Sequence, residues 1–80
     1  MDKYLVSVGE DTFTVDADDN QGARYSAAAE FKALHKVEFS LTSIANYAKA
    51  RLMTQPPETG ISTKELLRLL YKEVKEKTNV

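Results

Sequence analysis

The chain has 80 residues, 42% of them apolar and 29% charged, which is the composition of one small globular domain rather than of a disordered segment. Cysteine is absent, which excludes disulfides, thiolate zinc sites and cysteine nucleophiles, and no apolar run reaches the roughly 18–20 residues of a membrane span. The net charge is −1, but residues 1–39 carry four basic and eight acidic side chains whereas residues 40–80 carry seven basic and four acidic ones, so any anion-binding surface is expected in the C-terminal half.

The first seventeen residues have the pattern of a β-hairpin. Residues 3–8 are rich in β-branched and aromatic side chains, residues 9–11 (Gly-Glu-Asp) have turn chemistry, and residues 12–17 alternate between polar and apolar. We therefore expect a hairpin with a three-residue loop, whose buried face carries Phe13, Val15 and Ala17. Because an isolated hairpin is marginal in water, another element must cover that face.

A helix is predicted directly after the hairpin. Asp18, Asp19 and Asn20 are all suitable N-caps, and the helix is expected to end near His35. Its apolar stripe, expected to pack on the hairpin, consists of Ala23, Ala27, Phe31 and Leu34. Ala29 and Ala33 lie on another side, where small residues would let a second helix approach closely. Residues 37–39 (Val-Glu-Phe) are interpreted as either a short third strand or a tight turn with two buried apolar groups.

Two further helices are predicted in the C-terminal half. The second follows a Ser40 cap and is expected to run from residue 41 to about residue 53, with a core stripe of Leu41, Ile44, Ala45, Ala48 and Leu52. Two prolines interrupt the chain within residues 54–60. The capping box at residues 62–65 then opens a third helix that ends near residue 77 and buries Leu66, Leu67, Leu70 and Val74. The predicted fold class is α+β, with the order β-β-α-(β)-α-α, in one domain covering residues 1–80.

No segment has the full pattern of a catalytic or metal site. Residues 16–20 begin like a calcium loop, but Gln21 stands where the sharp turn needs glycine and Ala27 stands where the bidentate glutamate belongs. We interpret this segment as a strand end that leads into helix caps. His35, the single histidine, is interpreted as an exposed residue that meets the negative end of the helix dipole. We expect no enzyme activity, no cofactor and no metal.

Two helix faces are candidates for binding a partner. On the third helix, a basic arc lies next to Tyr71 and consists of Lys64, Arg68, Lys72 and Lys75. On the second helix, the face opposite the core stripe is poor in charge and contains Ser43, Asn46 and Tyr47, with Arg51 beside them. Such side chains suit the recognition of bases and backbone in DNA. The basic arc is equally consistent with the solvent-exposed side of an amphipathic helix. The face of the second helix is equally consistent with packing against the third helix.

Two functional hypotheses follow from these faces. The low net charge favours a small interaction module that binds a larger protein through its helical C-terminal half. The alternative is a DNA-binding regulator that uses helix 2 or the basic arc, because helix 1, a short connector and helix 2 would form a helix-turn-helix, although no glycine marks the turn. The N-terminus lacks the basic and apolar regions of a signal peptide, so we expect a cytoplasmic protein without membrane association.

Overall fold

The computed structural model describes residues 1–54 and 61–78, with side chains as far as Lys75. The elements in chain order are β1 (Asp2–Val8), β2 (Asp11–Ala17), α1 (Asn20–His35), α2 (Leu41–Asn46), β3 (Lys49–Leu52) and α3 (Thr63–Thr78). The α+β class and the packing of the hairpin on α1 are confirmed. The predicted proline break lies almost wholly outside the described residues.

The three strands form one antiparallel sheet in the order β2-β1-β3. Val8 pairs with Asp11, which leaves only Gly9 and Glu10 in the hairpin loop. The expected three-residue loop is therefore wrong. A two-residue loop suffices because Gly9 has a φ of 62°, a conformation that glycine adopts without steric cost at the first central position of a hairpin turn.

The hairpin buries one face, as its alternation predicts. Tyr4 pairs with Val15 and Val6 with Phe13, so apolar side chains of both strands point to the same side of the sheet. Val6 and Val15 are buried there, and Phe13 is partly buried against the same core. The opposite face carries the exposed threonines of β2.

Helix α1 begins where the cap candidates lie. The carboxylate of Asp19 accepts a hydrogen bond from the backbone N–H of Gly22 at 2.7 Å, so the interpretation of residues 16–20 as a strand end leading into a helix cap is confirmed. The helix ends at Lys36, whose backbone is left-handed with φ of 53°. Its buried residues are Ala23, Ala27, Ala28 and Phe31.

Leu34 does not belong to the core, because 60% of it is exposed. The buried arc of α1 includes Ala28, on the side where the hydroxyl of Tyr25 donates a hydrogen bond to Thr42 of α2 at 3.2 Å. On the helix wheel Leu34 shares the direction of buried Ala23 and Ala27, so its exposure comes from its place in the last turn of α1 and not from its side of the helix. Ala33 is exposed as well.

The third strand lies later in the chain than the sequence suggested. Residues 37–39 are not a strand; they form the turn-like alternative, with Phe39 buried and Val37 partly buried. The second helix ends at Asn46 rather than near Met53, and β3 follows, paired with β1 from Lys49↔Ser7 to Leu52↔Tyr4. Pairing with the free edge of β1 supplies backbone hydrogen bonds that a longer helix would have formed internally.

Helix α3 closes the core at the hairpin-loop end of the sheet. The Ser62 hydroxyl accepts a hydrogen bond from the Glu65 backbone N–H at 3.2 Å, which confirms the predicted cap. Leu66 and Leu70 are fully buried, whereas Val74 is 43% exposed, so its predicted burial is wrong. The helix docks on the hairpin through Thr63, whose hydroxyl accepts a hydrogen bond from Glu10 N–H at 3.0 Å. In the described part of the chain, no helix is long and apolar enough to span a bilayer.

Candidate interaction surface

An open groove of about 540 Å³ lies between α3 and the segment that connects α1 to α2. We call it the α3 groove; it is lined by His35, Lys36, Val37, Glu38, Phe39, Tyr71 and Val74. The left-handed backbone at Lys36 stops α1 and turns the chain, so that the connecting segment forms one wall and α3 forms the other. Because the groove is open to solvent and has mixed apolar and charged walls, it suits a peptide or protein side chain better than a deeply enclosed ligand.

Tyr71 is the exposed aromatic residue of this groove. It is 64% exposed, yet its ring packs edge-on against buried Phe39, with centroids 5.0 Å apart and planes at 82°. Such a T-shaped pair holds the ring in one orientation. Tyr71 therefore presents an apolar surface to solvent without losing much conformational freedom when a partner covers it.

The rim of the groove is polar where α1 ends. The Nε2 atom of His35 lies 2.6 Å from Oδ2 of Asp11, and the two side chains are each about one-third exposed. The His35 ring also contacts Phe31, at a centroid distance of 4.4 Å. His35 is thus a residue at the helix end, as interpreted. Its contact with Asp11 also connects the end of α1 to the start of β2.

The predicted basic arc of α3 is exposed along its described length, with Lys64, Arg68, Lys72 and Lys75 all accessible to solvent. Arg68, however, donates to Glu65 one turn earlier, with Nε 3.0 Å from Oε2. The hydrogen bond from Arg68 lowers the pKa of the Glu65 carboxyl, and the same pair raises the pKa of Arg68. The guanidinium is therefore already engaged within the helix.

The predicted face of α2 is divided by the packing of α3. Ser43 is only 8% exposed and donates a hydrogen bond to Oε1 of Glu73 at 3.2 Å, so its side chain lies inside the α2–α3 contact. Asn46 is exposed at the last position of α2, and Arg51 is half-buried in β3, on the sheet face opposite the core. With six residues, α2 is also far shorter than the helix assumed for DNA reading.

A smaller cleft of about 280 Å³ brings the two predicted faces together. It is lined by Tyr47, Leu69, Lys72 and Glu73. Tyr47 is the C-cap of α2 and Lys72 belongs to the basic arc, so residues from both predicted surfaces meet here. The structure thus places Tyr71 and Lys72 on different sides of α3, each next to a concave surface.

The sequence analysis missed the groove's connecting wall. The sequence predicts either a short strand or a tight turn with buried apolar groups at Val37 and Phe39, but the position of α3 against them depends on contacts distant in sequence. Among the described residues, no cluster of three or more histidine or acidic side chains could hold a metal ion. Comparison with known proteins gives no match: no family model, no curated protein and no solved structure matches the chain.

Proposed function

We propose that the protein is a non-enzymatic interaction module that binds a larger protein partner through its helical C-terminal half, with the α3 groove as the main contact. The observation that carries the proposal is the exposed ring of Tyr71, held edge-on by Phe39 at the mouth of the groove. Tyrosines in such positions frequently contribute most to the binding energy of protein interfaces.

The neighbouring side chains support the same proposal. Val74 is 43% exposed one turn after Tyr71, so the two form a continuous apolar strip along one shoulder of α3. Lys36 and Glu38 lie at the opposite wall, so charges of both signs border the apolar strip. An apolar centre with a polar rim is the usual arrangement of a protein–protein contact.

The charge pattern favours a protein over a nucleic acid as the partner. A nucleic-acid surface gains its affinity from cations that are available to phosphates. The pairing of Arg68 with Glu65 engages one of the four cations of the basic arc. The groove itself offers aromatic and aliphatic carbon rather than a row of cations.

The proposal is tested by affinity capture from the native host with the wild-type protein and matched variants as bait. Tyr71→Ala should reduce the retained partner at least about tenfold, since one buried aromatic anchor is worth about 2 kcal/mol or more. Val74→Ala removes only two methyl groups and should reduce it by a smaller factor. The control is Gln21→Ala, an equally simple truncation at an exposed position of α1 outside both candidate faces. Circular dichroism spectra of all baits should coincide.

The same capture distinguishes the DNA hypothesis. If the basic arc is the functional surface, the retained material should be nucleic acid. The double variant Lys64→Gln/Lys72→Gln should then reduce the slope of log K against log salt concentration by about two. That outcome, or a protein partner that is indifferent to Tyr71→Ala, would refute the assignment to the α3 groove.

A further inference from the structure

The two edges of the sheet differ in how they are protected. The β3 edge is four residues long and carries Lys49 and Arg51, and short, charged edge strands resist pairing with other chains. The β2 edge is seven residues long, pairs with β1 without a bulge, and contains neither proline nor lysine, although it carries Asp11 and Asp16. Within the described residues, no other strand pairs with β2 on its outer side. Such a regular edge is suited to receive another strand.

The hairpin loop fixes which backbone groups of β2 point outwards. Val8 and Asp11 flank a two-residue turn and form its hydrogen-bonded pair. Since hydrogen-bonded and non-hydrogen-bonded positions alternate in an antiparallel ladder, Phe13 and Val15 also direct their backbone groups to β1. The N–H and C=O groups of Thr12, Thr14 and Asp16 consequently point away from the sheet.

The sequence of β2 is complementary to itself about Thr14. If a second β2 runs antiparallel with Thr14 opposite Thr14, Thr12 lies opposite Asp16 and Phe13 lies opposite Val15. No two like charges then face each other, and all outward backbone groups of the three polar residues find partners. Both carboxylates of the strand also have a side-chain neighbour within their own chain: Asp16 pairs with Lys3, and Asp11 lies 2.6 Å from His35 Nε2.

The flank of α1 above this edge leaves apolar surface exposed near the end of the helix. Only two residues join α2 to β3, so α2 lies on the β3 side of α1, and the opposite flank of α1 faces the β2 edge. That flank includes Ser26, Glu30 and Ala33, which are all exposed, and Leu34 follows in the last turn of the helix with 60% of it exposed. Phe13 is likewise only partly buried at the edge of the core. A second copy would cover apolar surface that a single chain leaves exposed.

We propose that the protein self-associates through β2, which pairs antiparallel with β2 of a second copy about Thr14 and forms a continuous six-stranded sheet. The interface adds main-chain hydrogen bonds at the edge and packs Phe13 and Leu34 of one copy near Val15 of the other. This surface does not include Tyr71 or Val74, but His35 at the rim of the α3 groove contacts Asp11 of β2. The experiments for the two proposals change different residues, so either proposal can fail without the other.

Site-specific cross-linking tests the register, because the chain contains no cysteine of its own. In the proposed pairing the two Thr14 Cα atoms are about 5.5 Å apart, within the range that a disulfide spans. The two Thr12 Cα atoms are about 14 Å apart along the strands, well beyond it. Thr14→Cys should therefore oxidise to a covalent dimer, while Thr12→Cys, on the same exposed edge, should cross-link at least about tenfold more slowly.

Analytical ultracentrifugation tests the association without a cross-link. Thr14→Lys should raise the dimer dissociation constant at least about tenfold, since it places two lysines face to face across the symmetry axis. Thr54→Lys adds the same charge at an exposed position away from the edge and should leave the constant unchanged. A wild-type chain that stays monomeric up to millimolar concentration, equal cross-linking at positions 12 and 14, or a dimer that tolerates Thr14→Lys would each overturn the proposal.

Discussion

Replacing Phe31 with alanine is the most direct test of how the core is organised. Phe31 is fully buried and is among the largest side chains with no solvent exposure. The substitution removes six carbon atoms from a closely packed site, which corresponds to a loss of about 3–5 kcal/mol including the cavity that remains. Since a domain of this length is expected to have a total stability of roughly 5–10 kcal/mol, the variant should be close to its unfolding limit.

Leu34→Ala provides the matched control on the same helix. The substitution removes three carbon atoms from a residue that is 60% exposed. Because less than half of the surface of Leu34 is buried, the expected loss of unfolding free energy is below about 1 kcal/mol. Urea titrations of both variants at the same low micromolar concentration keep any self-association from contributing. A loss below about 1 kcal/mol for Phe31→Ala, or equal losses for the two variants, would show that the register of α1 is wrong.

Two further substitutions test local features of the structure. Gly9→Ala should destabilise the fold by roughly 1–3 kcal/mol, because φ at Gly9 is 62° and a Cβ atom would lie 2.8 Å from Thr63 Oγ1. Gly22→Ala, inside α1, should cost less in the same urea titration, because φ is not positive there and the tight contact, 3.1 Å, is with a side-chain oxygen of Asp19. For the Glu65–Arg68 pair, an NMR titration should place the carboxyl pKa of Glu65 below its ordinary value, and Arg68→Ala should move it back up. Because the folded-state pKa is lowered, the small stabilisation from this pair is present above the unfolded-state pKa and is lost as the pH falls through the folded-state pKa; a titration curve indifferent to Arg68→Ala would contradict the pairing.

The parts of the fold that the sequence predicts correctly depend on local chemistry. The alternation in β2 identifies the buried side of the hairpin, because successive side chains of a strand point to opposite faces. Asp19 and Ser62 identify helix starts, because a short polar side chain can bind the N–H groups of the first turn. Neither inference requires knowledge of distant residues.

The extent of α2 could not be predicted in this way. Residues 48–52 (Ala-Lys-Ala-Arg-Leu) are strong helix formers, and their spacing continues the apolar stripe of the preceding turn. The same residues also fit the two-residue period of a strand, with Ala50 and Leu52 on the core side and Lys49 and Arg51 on the other. The free edge of β1 decides between the two, and that edge is more than forty residues away in the sequence.

The candidate binding residues depend even more on distant contacts. Tyr71 was selected next to the basic arc, but the groove that it borders exists only because Phe39 lies beneath it. The sequence leaves open whether the face with Ser43 binds a partner or packs against the third helix, and the contact with Glu73 cannot be read from either helix alone. The selected binding residues stay predictions, although the structure shows which of them share a concave surface.

The third strand also changes which surfaces are available for interaction. A helix extending to Met53 would have kept Arg51 beside Asn46 on one recognition face and left β1 as an open edge. Because β3 pairs with β1 instead, Arg51 lies on the outer face of the sheet, and one short, charged strand protects that side. The remaining regular edge is β2, so the same pairing that removes the helix 2 surface also makes β2 the edge through which strand addition can occur.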